Sequence, residues 1–178
     1  IGGNLINLFD NGGTQAKIEA LGTGSGTINM TIDFEATAGN GWAEINPVNG
    51  DLILNSGVNI NGSQVGEVRI YGDNGNQVTF NGVISGGAGK DVRIMQYSIA
   101  EYNASMTYQG ETEIQEGELW IGENGDINSV STIYVGNGGL PGNTAKLFMS
   151  DLDGGDTFDN NININPGNGS VGNRTVGG

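Results

Sequence analysis

Short runs in which apolar and polar residues alternate recur along the whole chain, and turns rich in Gly and Asn separate them. In the clearest run, from Thr27 to Ala36, every second residue is apolar: Ile28, Met30, Ile32 and Phe34. Alternation with a period of two is the signature of a strand that buries one face. The chain is therefore predicted to be all-β and to consist of many short strands.

The composition agrees with an all-β chain. Glycine accounts for 34 of the 178 residues, and only 15% of the residues are charged. Gly and Asn are poor helix formers, whereas both tolerate the left-handed backbone that tight turns need. The length suits one domain with a continuous core, so residues 1–178 are predicted to form a single unit.

Two all-β architectures can use this alternation of strands and turns. Asn-Gly pairs such as Asn61-Gly62 and Asn81-Gly82 are typical of hairpins, which would give an antiparallel β-sandwich. A right-handed parallel β-helix would instead stack each short strand on the next coil. Because the strands stay short and numerous at loosely repetitive spacing, we predict the β-helix and keep the sandwich as the alternative. Stacked Asn side chains at equivalent turns would then form hydrogen-bonded ladders.

The charge balance restricts the partners of the chain. Six basic and twenty acidic residues give a formal net charge of −14 and a pI near 4.1. Such a charge opposes binding to nucleic acids and to anionic lipid surfaces, so neither is predicted as a partner. No run approaches the ~18 apolar residues of a membrane span, and there is no cysteine for disulfides. The start at Ile1 suggests a segment of a longer protein.

Two segments carry a motif: residues 80–87 read FNGVISGG, and residues 108–122 read YQGETEIQEGELWIG. They resemble the autotransporter-associated β-strand repeat, and residues 158–164 and 174–178 look like a further coil of the same kind. The matched steps are Tyr108, Gly110, Thr112, Ile114, Gly117, Leu119, Ile121 and Gly122. The matches cover under half of the chain. The resemblance implies a passenger-like β-solenoid that is secreted or displayed on the bacterial cell surface.

The function expected from this resemblance is that of an extracellular structural or adhesive module, acting as a stalk or as a fibre subunit. Residues 1–3, IGG, echo residues 176–178, VGG, as they would in a tandem array. An open coil end exposes unpaired strand edges, which must be capped or joined to a neighbour. The predicted partners are therefore other copies of the chain or adjacent repeats, assembled end to end.

Catalysis is not predicted, and no catalytic or cofactor-binding residue is assigned. The chain has no His and no Cys, which removes the commonest bases and nucleophile partners. Carboxylate chemistry on a polysaccharide is the enzymatic alternative, with Asp91 beside Arg93 or Glu111 beside Glu113 as candidates. Such pairs, two residues apart, are also typical of a solvated strand face.

One acidic segment suggests a cation site. Asp151, Asp153 and Asp156 surround a pair of glycines, and Asp159 follows closely. Carboxylate oxygens around a turn are ligands that Ca²⁺ prefers, so these four residues are the candidate metal ligands. The alternative is an acidic turn between coils.

Two tryptophans are candidate contacts for a glycan. Trp120 lies between Leu119 and Ile121, both predicted to point inwards, so its own side chain is predicted to point outwards. Trp42 is the other candidate. A glycan-binding domain is therefore the second functional hypothesis, with surface glycans as partners.

Overall fold

The structure is a computed structural model. It describes residues 5–9, 15–35, 41–63, 65–72, 75–128, 130–136, 144–150 and 159–165, and the backbone of 169–174. The strands within these residues are, in chain order, β1 (Leu5–Leu8), β2 (Lys17–Glu19), β3 (Gly26–Ile28), β4 (Thr31–Phe34), β5 (Trp42–Asn46), β6 (Leu52–Leu54), β7 (Val58–Ile60), β8 (Glu67–Tyr71), β9 (Gln77–Phe80), β10 (Ile84–Gly86), β11 (Asp91–Met95), β12 (Ser98–Tyr102), β13 (Ser105–Met106), β14 (Thr112–Ile114), β15 (Gly117–Ile121), β16 (Asp126–Ile127), β17 (Ile133–Val135), β18 (Ala145–Ser150), β19 (Ile162–Ile164) and β20 (Gly169–Arg174). The described residues contain no helix.

From β1 to β18 the strands visit three sheets in rotation, and β19 and β20 then extend the second and third of them. Sheet I contains β1, β4, β7 and β10. The separate pair β13 and β16 lies next to it, where Thr107 N–H donates to the Ile84 carbonyl of β10. Sheet II contains β2, β5, β8, β11, β14, β17 and β19. Sheet III contains β3, β6, β9, β12, β15, β18 and β20. The chain therefore winds as a three-sided coil, in which each strand pairs with the equivalent strands of the coils before and after it.

The pairing between strands of successive coils is parallel throughout the described residues. Coil length varies along the chain. Ala100 pairs with Leu119 of the next coil, whereas Ile133 pairs with Ile162, which is further along the sequence. Seven strands spaced by about 4.8 Å give sheets II and III a length of roughly 29 Å. The prediction of an all-β parallel β-helix is confirmed, and the antiparallel sandwich was the wrong alternative.

The core consists of apolar columns that run along the coil axis. In sheet II, inward side chains of successive coils stack in register and are fully buried: Ile45, Ile70, Ile94, Ile114 and Val135. In the strands, buried residues alternate with partly exposed ones, so the alternation seen in the sequence gives each sheet an inner and an outer side. Removal of these columns from water is the main force that holds the coils together.

The run from Thr27 to Ala36, predicted to be one strand, is divided between two sheets. β3 ends at Ile28 in sheet III, and β4 begins at Thr31 in sheet I. Met30 lies at the corner between them and is 38% exposed, although the alternation predicted that it would be buried. The prediction was wrong because the period of two continues across the bend, where Asn29 is bound by the next coil.

Two tyrosines lie entirely inside the coil. Tyr102 packs edge-on against Phe80 with ring centroids 5.5 Å apart, and the Tyr108 hydroxyl hydrogen-bonds the Thr112 hydroxyl at 2.5 Å. The Tyr102 hydroxyl is near that of Tyr108, but it makes no hydrogen bond of ordinary geometry within the described residues. Burial raises the pKa of Tyr108 to about 12 and that of Tyr102 well above 10.

These two raised pKa values predict a loss of stability in alkali. The unfolded pKa of tyrosine is about 10, so the contribution of each residue is complete below that pH and is lost as the pH rises through the folded pKa. We expect the free energy of unfolding to fall as the pH rises from about 9 to about 11, by roughly 1 kcal/mol for Tyr108 and in the same direction for Tyr102. Urea unfolding at both pH values measures this change, and a Y102F/Y108F double variant should lose most of it. An equal fall in the double variant would contradict the prediction.

Candidate functional site

The outer side of sheet II carries a ladder of charged side chains, here called the ionic ladder. Its members are brought into register by the coil: Lys17, Glu19, Glu44, Glu67, Arg69, Arg93 and Glu113. Lys17 Nζ lies 2.7 Å from Glu19 and 3.6 Å from Glu44, and its hydrogen bond to Glu19 raises its pKa. Arg69 pairs with Glu67 on its own strand. Charges separated in the sequence thus become neighbours along the axis.

The ionic ladder contains one member of each pair considered for catalysis, Arg93 of the first pair and Glu113 of the second. Arg93 pairs with Glu67 at 3.1 Å and with Glu113 at 2.7 Å, although its Nε–H is not aligned for a hydrogen bond. Asp91 accepts a hydrogen bond from the backbone N–H of Glu111 at 2.7 Å. The structure therefore places the two pairs on and beside adjacent strands, where Asp91, Arg93 and Glu113 join successive coils.

Trp42 lies on the outer side of sheet II, beside the ionic ladder. The Arg69 guanidinium lies over its ring, 4.0 Å from the centroid, and its Nε1 donates a hydrogen bond to Glu44 at 3.3 Å. This cation–π contact occupies one face of the indole. A sugar stacking on Trp42 would need the other face or the displacement of Arg69.

Trp120 lies on the outer side of sheet III, and Leu119 and Ile121 on either side of it are buried. Trp120 packs edge to face against Phe148 of the next coil, with centroids 6.5 Å apart and the rings 80° from parallel. Its Nε1 donates a hydrogen bond to Glu118 at 2.8 Å, and Lys146 also pairs with Glu118 at 2.7 Å. These contacts hold the aromatic pair in one orientation.

A small depression of about 130 Å³ adjoins this aromatic pair, and we call it the aromatic depression. Its lining includes Glu101, Asn103, Trp120, Glu123 and Phe148. Glu101 Oε2 accepts hydrogen bonds from Gln77 Nε2 at 2.6 Å and from Thr79 Oγ1 at 3.2 Å. Neutral side chains therefore position this carboxylate at the depression.

The aromatic side chains do not form a single strip within the described residues. Trp42, Tyr71 and Tyr134 lie on sheet II, and Trp120 and Phe148 lie on sheet III. Tyr97 occupies a corner with a positive φ of 62°, and Tyr102 and Tyr108 are in the core. Trp42 and Trp120, the two predicted glycan contacts, are thus on different sides of the coil.

A hydrogen-bonded column of asparagines, here called the asparagine ladder, follows the corner after sheet III. Asn55 Nδ2 donates to Asn29 Oδ1 at 2.8 Å, Asn81 donates to Asn55 at 2.8 Å, and Asn103 donates to Asn81 at 3.1 Å. An asparagine ladder was predicted from the sequence, and this arrangement confirms it. The column ends at Gly122, where a methyl group would overlap Asn103 Oδ1.

Most of the predicted calcium site falls outside the described residues, because Asp151, Asp153 and Asp156 are not among them. Asp159 is exposed and lines an open groove of about 400 Å³ together with Asp126, Asn128 and Asn160. Among the described residues there is no group of three or more side chains of the types His, Cys, Asp and Glu that could hold a metal ion. The calcium site stays a prediction.

Comparison of the chain with protein-family models, curated proteins and solved structures gives no match. The resemblance to the autotransporter-associated repeat therefore stays a prediction from residues 80–87 and 108–122. In the portion of the chain that the structure describes, no helix has the length and apolar character needed to cross a membrane.

Proposed function

We propose that this chain is a structural module of the extracellular space or the bacterial cell surface, which serves as a stalk or fibre subunit. Its task is to hold the parts that it joins at a set distance. The asparagine ladder carries the proposal, because it links four coils by side-chain hydrogen bonds that run along the axis. Amide ladders of this kind strengthen the contact between stacked strands.

The ionic ladder and the buried columns support the same proposal. Arg93 joins Glu67 of one neighbouring coil to Glu113 of the other, and Lys146 joins Glu118 of the preceding coil. In repeat proteins stability is the sum of terms within each coil and terms between neighbours. A β-helix whose charged, amide and apolar side chains all make contacts along the axis resists the pulling apart of its two ends.

Stretching of single molecules tests this mechanical role. With the two ends of the chain held, we expect extension in steps that each release about one coil. Coils of roughly 20 to 30 residues correspond to roughly 70–100 Å of extended chain. Replacing Asn81 by Ala removes both side-chain hydrogen bonds of that residue in the ladder, so it should lower the force of the steps involving its coil.

Asn29 provides the matched control, because in the ladder it makes one of these bonds where Asn81 makes two. We expect the Asn29→Ala variant to show a smaller reduction in force than Asn81→Ala. Loss of the whole structure in one step at low force would refute the mechanical role. Equal forces for the unaltered chain and Asn81→Ala would show that the asparagine ladder does not contribute.

End-to-end assembly is the second part of the proposal. In the described residues β1, β2 and β3 pair only with a following coil, and β19 and β20 pair only with a preceding one. Apolar side chains are exposed at both ends, with Leu5 at 49%, Leu21 at 64% and Ile164 at 47%. Adjacent repeats or other copies of the chain would cover these edges. Sedimentation velocity should show elongated oligomers as concentration rises, and a persistent monomer would refute self-assembly.

A further inference from the structure

We propose that the aromatic depression is a subsite for a polysaccharide whose sugars carry free amino groups. This activity goes beyond a structural role, since it would let the coil attach to a cationic glycan. The residues that carry the proposal are Trp120, Phe148, Glu101, Asn103 and Glu123.

The aromatic pair supplies the apolar part of such a site. Because the rings of Trp120 and Phe148 are nearly perpendicular, they form the two sides of a corner. An aromatic face carries negative charge density, which favours the C–H face of a sugar and, still more, an ammonium group. Lys146 Nζ already lies 6.0 Å from the centroid of the Phe148 ring, so a ligand ammonium would use the Trp120 face or displace Lys146. The hydrogen bond from Trp120 to Glu118 holds the indole in place before any ligand arrives.

The polar groups of the depression are mainly acceptors. Glu101 and Glu123 contribute carboxylates, and Asn103 Oδ1 is the terminal acceptor of the asparagine ladder. The Ser150 hydroxyl donates to the Ile121 carbonyl at 2.9 Å, and the Gly122 N–H donates to the Tyr102 carbonyl at 2.8 Å. A lining rich in acceptors suits a ligand that brings donors, and an ammonium group has three donors and no acceptor.

Charge and size then select the class of ligand. The chain carries a net charge of −14, so its field attracts cations. A volume of 130 Å³ is below the ~300 Å³ at which pockets begin to enclose a free small molecule. The depression therefore fits one residue of a polymer that continues along the outer face of sheet III.

Binding of glucosamine oligomers, measured by calorimetry at low salt, tests the proposal. We expect these oligomers to bind and the N-acetylated oligomers of the same length to bind at least about tenfold more weakly, because acetylation removes the charge. Glu101→Gln keeps the shape of the side chain and should weaken binding by about tenfold as well. Trp120→Ala should also weaken binding. Added salt should weaken binding too, because it screens the attraction between the ammonium groups and the carboxylates.

Two variants serve as matched controls. Tyr134→Ala removes an outward aromatic side chain of sheet II, and Glu111→Gln removes a carboxylate elsewhere on the surface, so both should bind like the unaltered chain. Thermal unfolding of every variant shows whether it is folded. If Trp120→Ala is not folded, the binding of Glu101→Gln tests the proposal. Absence of binding, equal binding of acetylated oligomers, or equal binding of lysine oligomers would each overturn the proposal. None of these results would affect the stretching experiment.

Discussion

Replacing Leu54 by Ala should lower the free energy of unfolding by about 2–5 kcal/mol, the usual cost of emptying a buried leucine site. Leu54 is 1% exposed and stacks in register between Ile28 and Phe80 of the neighbouring coils. The cavity left by the substitution would interrupt one column of the core. Chemical denaturation, followed by circular dichroism in the far ultraviolet, measures the change.

The residue just before Leu54 provides a sharp control. Ile53 has a side chain of equal size, but it lies on the outer side of β6 and is only half-buried. Ile53→Ala should therefore cost about 1 kcal/mol or less. Similar losses for the two variants would contradict the assignment of inner and outer sides, on which the whole description of the core depends.

Replacing Gly117 by Ala should lower the free energy of unfolding by about 3 kcal/mol or more, or should prevent folding. Gly117 opens β15 with a φ of +123°, a backbone conformation that residues with a side chain rarely adopt. The added methyl group would also overlap the backbone oxygen of Ser98 in the preceding coil. Neither problem can be relieved by rotating a side chain.

Gly87 is the matched control for this substitution. It lies in the turn after β10, its φ is outside the left-handed region, and a methyl group there would meet no atom within 4 Å. Gly87→Ala should therefore change the free energy of unfolding by no more than about 0.5 kcal/mol. The yield of folded protein and its melting temperature distinguish the two variants. A stable Gly117→Ala variant would show that successive coils are not as closely stacked at this corner.

In both ladders, the register between coils places side chains that are distant in the sequence next to one another. Members of the asparagine ladder are separated by 26, 26 and 22 residues, and the register still brings each amide to the one before it. The ionic ladder uses the same register to place three of the six basic residues, Lys17, Arg69 and Arg93, beside carboxylates. Partial neutralisation along one face reduces the repulsion that a charge of −14 imposes on a folded rod.

The candidate subsite could be predicted only in part. The outward direction of Trp120 followed from the alternation of β15, since Leu119 and Ile121 had to point inwards. Phe148 and Glu101 were missed because both are distant from Trp120 in the sequence, with Phe148 on the following coil and Glu101 on the preceding one. Aligning the coils on their Asn and Gly corners would have suggested both neighbours.

Glycine shows the same division between local and tertiary causes. Gly110, Gly117 and Gly122 are all steps of the motif noted in the sequence, but of these three only Gly117 has a positive φ. At the other two positions, a methyl group would overlap atoms of the preceding coil, namely Lys90 O and Asp91 Oδ1 for Gly110 and Asn103 Oδ1 for Gly122. The close approach of successive coils explains these glycines.

From the sequence alone, alternation with a period of two determined which residues of most strands are buried, and the abundance of Gly and Asn determined that short strands and tight turns would dominate. Both are local properties of the backbone and side chains. The position of the Asn29 corner, the partners in each ladder and the contact between Trp120 and Phe148 were decided only by the tertiary structure. They depend on how many residues each coil contains, which shifts every later side chain along the axis and which the alternation of apolar and polar residues does not specify.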